Sequence, residues 1–344
     1  MKYNFQNDYS EGAHPRIMDA MLATNSIQQI GYGEDAYCLE AADLIRQAIH
    51  NPQADVHLVV GGTQANLIVL ASFLRPFESV IAVESGHISV HEAGAIEATG
   101  HKVHTVKGQA GKVTVPEIRA VNKEHYFEHM VKPRAVYISQ STEVGTIYSG
   151  DEIRAISAVC KELGLILYMD GARLGSALTS TATDISLPEL AALVDVFYIG
   201  GTKNGALLGE AIVINNPSLK DSFRYVMKQK GALLSKGRIL GIQFSELFRD
   251  NLFYDLARHA NRMAGKLATG IAELGYTFRA DSVTNQIFPI FPKPLIDKLA
   301  QEYGFYVWDE VSDTHSTIRL VTSWATPPQA VDDFLGSLAK LSSQ

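Results

Sequence analysis

The chain has 344 residues, 46% of them hydrophobic and 19% charged, with a net charge of -7 spread along its length. That is ordinary globular composition, long enough for one large domain and a smaller one. No Lys/Arg run or acidic block marks a nucleic-acid or basic partner, and no apolar run nears the ~20 residues that cross a bilayer.

The opening MKYNFQNDYSEGAHP lacks the apolar stretch of a secretory leader. Cys38 and Cys160 stand far apart, form no metal-ligand pattern and read as reduced structural thiols, so the cytoplasm is the expected compartment.

In chain order, short apolar strands alternate with helical stretches. VHLVV (56–60) precedes GGTQANLIVLASFL, and SVIAVES (79–85) precedes HISVHEAGAIEATG. AVYIS (135–139), LILYMD (165–170) and VFYIGG (196–201) are strand-like, and GDEIRAISAVCKELG is an amphipathic helix with Gly164 as its C-cap. GEAIVINN (209–216) closes the series as a further strand. Strands separated by helices predict a mostly parallel sheet in an α/β domain, with ligands gathered at the strands' carboxyl ends. From about 217 to Gly275 the pattern is helical and charged. Strand candidates 285–291, 305–311 and 317–323 and a terminal helix then predict a smaller α+β unit. The expected division is 1–240 for the large domain with its N-terminal segment and 241–344 for the small one.

Four strand ends carry chemistry. LILYMDGARLG delivers Asp170 and, after a glycine turn, Arg173. VFYIGGTKNG ends in Thr202 and Lys203, 33 residues beyond Asp170 (203 − 170). A lysine at the tip of a buried strand is costly to desolvate unless paired or neutralised, and a neutral or iminium nitrogen suits amine chemistry. LVVGGTQANL aims backbone amides of Gly61, Gly62 and Thr63 at an anion from a helix N-terminus, without being a Walker A or GxGxxG loop. His87, in ESGHISVHEAGA, follows a fourth strand end and can stack on a planar ring. An anion cradle, a stacking ring, an acid for a pyridine nitrogen and an amine for an aldehyde match the functional groups of pyridoxal 5′-phosphate. Each residue has a bland rival: Asp170 as a helix cap, Lys203 as a loop lysine, His87 as a structural histidine. The Lys228, Lys230, Lys236 and Arg238 cluster is a solvated helix face, with a phosphate or subunit-contact role as the alternative.

With GYGEDAYCLE, GGTQANL, SGHISVHEAGA, DGARL, GGTKNG and IRLVTSWA in order, the chain resembles the threonine aldolases of the β-eliminating lyase group, which are fold-type I pyridoxal enzymes. The resemblance implies an aspartate aminotransferase-like fold and a homodimer or homotetramer. It implies Lys203 as the Schiff-base lysine, Asp170 on the pyridine nitrogen, His87 stacked on the ring, and Gly62 and Thr63 at the phosphate. Gly61 stands where many relatives have serine, and Thr202 where they have the serine before the lysine. Arg173 would lie near cofactor and substrate, and Arg319 would clamp the substrate carboxylate. The family's N-terminal Arg-Ser-Asp reads Gln6-Asn7-Asp8, leaving Asn7 to donate to that carboxylate. ISQSTEVGTIYS replaces the common Glu-Asn-Thr-His-Asn, and of two upstream histidines, His125 and His129, the offset favours His129 as the catalytic one.

The implied reaction cleaves the Cα–Cβ bond of L-threonine, L-allo-threonine or a related β-hydroxy-α-amino acid to glycine and an aldehyde. The same residues suit a β-eliminating lyase or an aminotransferase, because substrate positioning decides which bond breaks. A non-catalytic pyridoxal-binding protein and a hydrolase with Asp170 and His87 as metal ligands stand as alternatives. No metal is expected, and the expected partner is an amino acid, with no nucleic acid and no membrane.

Overall fold

A computed structural model describes residues 1–343. Seven strands make one sheet: β1 (Asp55–Val59), β2 (Glu78–Val83), β3 (Lys102–Val106), β4 (Lys132–Ser139), β5 (Ile166–Asp170), β6 (Val196–Gly200) and β7 (Glu210–Ile214). Their order across the sheet is β1-β7-β6-β5-β4-β2-β3. The contacts from β3 through β6 are parallel, and β7 runs antiparallel to both β6 and β1. Parallel neighbours require a crossover, which is why helices separate the first six strands, whereas β7 returns directly from β6 after one short loop.

Every residue of β2, β5, β6 and β7 is buried, as a sheet covered on both faces requires. Alternate side chains serve two cores: Leu167 and Met169 of β5 face one, Ile166 and Tyr168 the other. Strand β3, KVHTV, was not among the expected strands. It is a half-exposed edge whose alternation is too short and polar to stand out.

The second region is built on β8 (Gln286–Ile287), β9 (Ile290–Pro292), β10 (Tyr306–Glu310) and β11 (His315–Val321), with β11 antiparallel to the other three. The long charged stretch resolves into helices Phe223–Gln229, Arg238–Phe248 and Leu252–Glu273. The last two are separated where Asp250 and Asn251 take φ of 56° and 61°. Helix Leu252–Glu273 joins two cores: Leu252, Phe253 and Leu256 pack into the sheet core, while Met263, Leu267 and Ile271 pack with Phe291, Ile318 and Phe334. Phe5 also enters that smaller core, where Tyr3–Asn4 pairs with Tyr303–Gly304. The division into 1–240 and 241–344 is our proposal; apart from Phe5, the buried residues of the smaller core begin at Met263. Among the described residues no helix is long and apolar enough to cross a membrane.

Candidate active site

Strands β1, β2, β4, β5 and β6 deliver their carboxyl ends to one edge of the sheet, and antiparallel β7 begins there. A cavity of about 310 Å³ opens at that edge, lined by Gly61, Gly62 and Thr63, His87, Ser139, Glu143, Asp170, Ala172, Arg173, Tyr198, Thr202, Lys203 and Glu210. A second chamber of about 450 Å³ shares His87, Glu143, Arg173 and Lys203 with it and extends to Gln286, Tyr306, Trp308 and Arg319. The two chambers therefore meet at Lys203, on the seam between the sheet and the small unit.

Asp170 is the last residue of β5 and only 4% exposed. Oδ1 accepts from the Tyr198 hydroxyl (2.5 Å) and the Ala172 amide (2.9 Å), while Oδ2 accepts from the Tyr137 hydroxyl (2.6 Å) and, at a longer 3.3 Å, from Asn66 Nδ2. An ionised carboxylate has capacity for about four such bonds. The long Asn66 contact is the weakest of the four, on an oxygen whose carboxylate lines the cavity. Asn66 Nδ2 also donates to Glu92 Oε1 (2.7 Å), and the same oxygen meets His87 Nδ1 at 2.8 Å. Asp170, Asn66, Glu92 and His87 are thus one chain of hydrogen bonds that holds the imidazole at the cavity wall.

Lys203 lies beyond the end of β6. Burial is the main cause that lowers its pKa from the ordinary lysine value, and Arg173 adds to it; Asp8, Asp170 and Glu210 pull the other way. Burial raises the Glu210 carboxyl well above the carboxylate range, with the Lys203 charge opposing it. A lysine with a lowered pKa exposes more free amine at neutral pH, which is the nucleophilic form. Arg173 donates from Nε and Nη2 to Asp8. Arg319 sits 5.5 Å from the Tyr306 ring centroid and 5.0 Å from that of Trp308, gives Nη2 to the Gln6 carbonyl (3.1 Å), and keeps a buried Nε without a partner. That unpartnered Nε suits a carboxylate.

The helix Gly62–Phe73 begins in the cavity wall with Gly61 as its N-cap, and no side chain caps its first amides. A Cβ at Gly61 would meet nothing within 4 Å, so the space beside the helix's first amides is open to a ligand. The group implied by the fold, pyridoxal 5′-phosphate, fits these residues: uncapped amides for its phosphate, Asp170 for its ring nitrogen, Lys203 for its aldehyde. Thr202 is partly committed, since its Oγ1 accepts from the Gly209 amide at 2.9 Å.

Two expected residues stand elsewhere. Asn7 lines neither chamber; its Oδ1 closes a local turn with the Tyr9 amide and Ser10 hydroxyl. Tyr9 takes the place at the wall. His129 does not join the cluster formed within one chain. It precedes β4, whose eight residues span about 23 Å at ~3.3 Å each, and Ser139 at the far end is the one near Asp170. His125 lies on the same remote edge, bonded to the Val121 carbonyl and 4.3 Å from the His104 ring. Conversely, Asp8, Asn66, Glu92, Tyr137, Glu143 and Tyr198 belong to the site and were not marked in the sequence.

A family model described as beta-eliminating lyase matches residues 5–292. The low specificity L-threonine aldolase of Pseudomonas aeruginosa is 36% identical over 331 residues, covering 95% of this chain and 94% of that protein. A solved structure of Leishmania major threonine aldolase superposes with a TM-score of 0.98 at 48% identity, covering 99% of each chain. Thermus thermophilus aspartate aminotransferase, 14% identical with a TM-score of 0.74 over 99% of this chain and 91% of that one, shares the fold. By the family match and the extent of these identities, the chain belongs to the beta-eliminating lyase family.

Proposed function

We propose that the protein is a pyridoxal 5′-phosphate-dependent aldehyde-lyase that cleaves L-threonine, L-allo-threonine or a related β-hydroxy-α-amino acid to glycine and an aldehyde. The observation that carries this reading is the meeting of two chambers at Lys203, one lined by Asp170 and the start of helix Gly62–Phe73 and the other by Arg319, whose buried Nε has no partner. The names of the relatives from Pseudomonas aeruginosa and Leishmania major support the substrate class.

When bound, the cofactor supplies an electron sink for the pair released at Cα. The chain's own residues do the rest. Lys203 would hold the cofactor through its aldehyde. Asp170 would pair with the ring nitrogen, with Tyr137, Tyr198 and the Ala172 amide holding the carboxylate in place. His87, fixed by Glu92 at the cavity wall, would pack against the cofactor. Arg319 holds the substrate carboxylate, and Arg173, fixed by Asp8, lines both chambers. Holding the carboxylate at one end and the amine at the other would fix which bond on Cα is placed to break, an orientational contribution to rate. The reading includes assembly as a homodimer or homotetramer.

The test is product analysis with L-threonine and L-allo-threonine in the presence of pyridoxal 5′-phosphate. Glycine and acetaldehyde in equal amounts, absent with Lys203→Ala, are the expected result. A keto acid with ammonia would assign β-elimination instead, and a requirement for a second keto acid would assign amino transfer.

A further inference from the structure

Where the family commonly places Glu-Asn-Thr-His-Asn, this chain turns on the segment Ser141 to Gly145, and Glu143 projects from it between the two chambers. Its Oε1 accepts from the His87 amide (3.0 Å) and the Ser139 hydroxyl (2.8 Å). Its Oε2 is buried and has no partner. The roles given above to Lys203, Asp170, His87 and Arg319 leave that oxygen unused. Across the same chamber wall stands Gln286, 0% exposed, with both its amide oxygen and its amide nitrogen unpartnered. The turn and the strand carrying Gln286 are in contact, because a Cβ at Gly145 would lie 2.9 Å from the Gln286 carbonyl oxygen.

Buried polar atoms without partners are costly and are found where a ligand or water completes them. Two such groups on one wall, one an acceptor and one both donor and acceptor, form a polar subsite on the substrate side of Lys203. The substrate's carboxylate and amine are already assigned to Arg319 and the cofactor position. What remains on a β-hydroxy amino acid is the hydroxyl.

Resting on the threonine-aldolase reading, we propose that Glu143 is a catalytic residue of this site, whose Oε2 takes the β-hydroxyl proton as the Cα–Cβ bond breaks. The hydroxyl O–H breaks and its proton bonds to Oε2. The oxygen lone pair closes the aldehyde C=O, and the Cα–Cβ pair remains with the amino-acid fragment, which becomes glycine on taking up one proton. Atoms and electrons balance with no outside oxidant, and the carboxyl gives its proton back over the turnover. Burial, reinforced by the Asp170 charge, raises the Glu143 pKa, which makes the ionised group a stronger base than a free carboxylate.

The experiment compares wild type, Glu143→Gln and Glu143→Asp as holoenzymes in three readouts: threonine cleavage, glycine affinity by calorimetry, and exchange of the glycine α-proton with deuterated solvent by NMR. Glycine lacks the β-hydroxyl, so the last two do not use the proposed proton transfer. Glu143→Gln is expected to lower kcat for L-threonine ~100-fold or more, the usual size of a lost general base. Glycine affinity and exchange should remain near the wild-type values, and Glu143→Asp should recover part of the cleavage. Cleavage by Glu143→Gln within a few-fold of wild type would overturn the proposal. A parallel collapse of glycine binding and exchange would also overturn it, since the role would then be structural. If wild-type holoenzyme binds glycine yet releases no aldehyde from any β-hydroxy amino acid, the underlying reading falls and this proposal with it. That outcome is distinct from an active wild type with an equally active Glu143→Gln.

Discussion

Arg173 Nε and Nη2 reach the two oxygens of Asp8 at 2.7 and 3.0 Å, a forked pair in which Asp8 is 1% exposed. The pair ties the N-terminal segment to the end of β5 beside Lys203, and Asn285 adds a third contact to Asp8 at 2.9 Å. Burial alone would raise the Asp8 pKa, but the Arg173 and Lys203 charges outweigh it and hold the carboxyl below its ordinary value. A lowered folded-state pKa contributes stability that is complete above the ordinary carboxylate range and fades only as pH falls through the lowered value. Asp8→Ala leaves the Arg173 cation unpaired, so urea unfolding should show a loss of about 3–5 kcal/mol, constant from pH 6 to 8.

Asn66 joins Asp170 to Glu92 and accepts the Tyr168 hydroxyl at 2.7 Å, all four residues being buried. Asn66→Leu fills the space but leaves the Tyr168 hydroxyl without its acceptor and takes one donor each from Asp170 and Glu92, which keep Tyr137 and His87. Unfolding free energy should fall by about 2–4 kcal/mol, more than one broken hydrogen bond, because the stranded hydroxyl bears its desolvation cost and two buried carboxylates each lose a donor. Denaturant titration of the purified variant measures this.

Arg319 lies against the Tyr306 and Trp308 rings with its Nε unpartnered, so position and planar geometry matter beyond charge. Arg319→Lys keeps the charge and loses the fork. KM for L-threonine should rise ~10-fold or more while kcat changes less, the mark of a group that binds ground state and transition state alike. An unchanged KM in steady-state assays would remove Arg319 from the carboxylate site.

His57 packs 4.8 Å from the Phe223 ring with a buried, unpartnered Nε2, and burial holds its pKa down to about 4. The unfolded chain takes up the proton near pH 6.5 and the folded one does not, so stability present above 6.5 declines as pH falls from 6.5 towards 4. The full decline from this residue is about 3 kcal/mol. In unfolding curves across that window, His57→Phe should show a flatter pH dependence than wild type.

The strand-turn-helix order and the residues at the strand tips were legible because each is local: an apolar run, a turn, then Asp170, Lys203, His87 or Gly61 to Thr63. What could not be read were partners supplied from a distance. Asp8 meets Arg173 from 165 residues away, and Asn66 meets Asp170 from 104. Tyr137 and Tyr198 read as core aromatics, which their rings are; only the sheet register turns both hydroxyls onto one carboxylate. Glu143 gave no signal beyond a departure from the family pattern, since an orphaned oxygen exists only in the folded chain. His129 is the converse: its offset in sequence pointed to the site, and within one chain the length of β4 stands between it and Asp170.

The central claim is that Lys203 carries the cofactor, and borohydride reduction of the holoenzyme followed by peptide mass mapping tests it most directly. The expected result is a pyridoxyl-phosphate label on the peptide containing Lys203 and no label in Lys203→Ala. A label on another lysine, or none on protein incubated with excess pyridoxal 5′-phosphate, would contradict it.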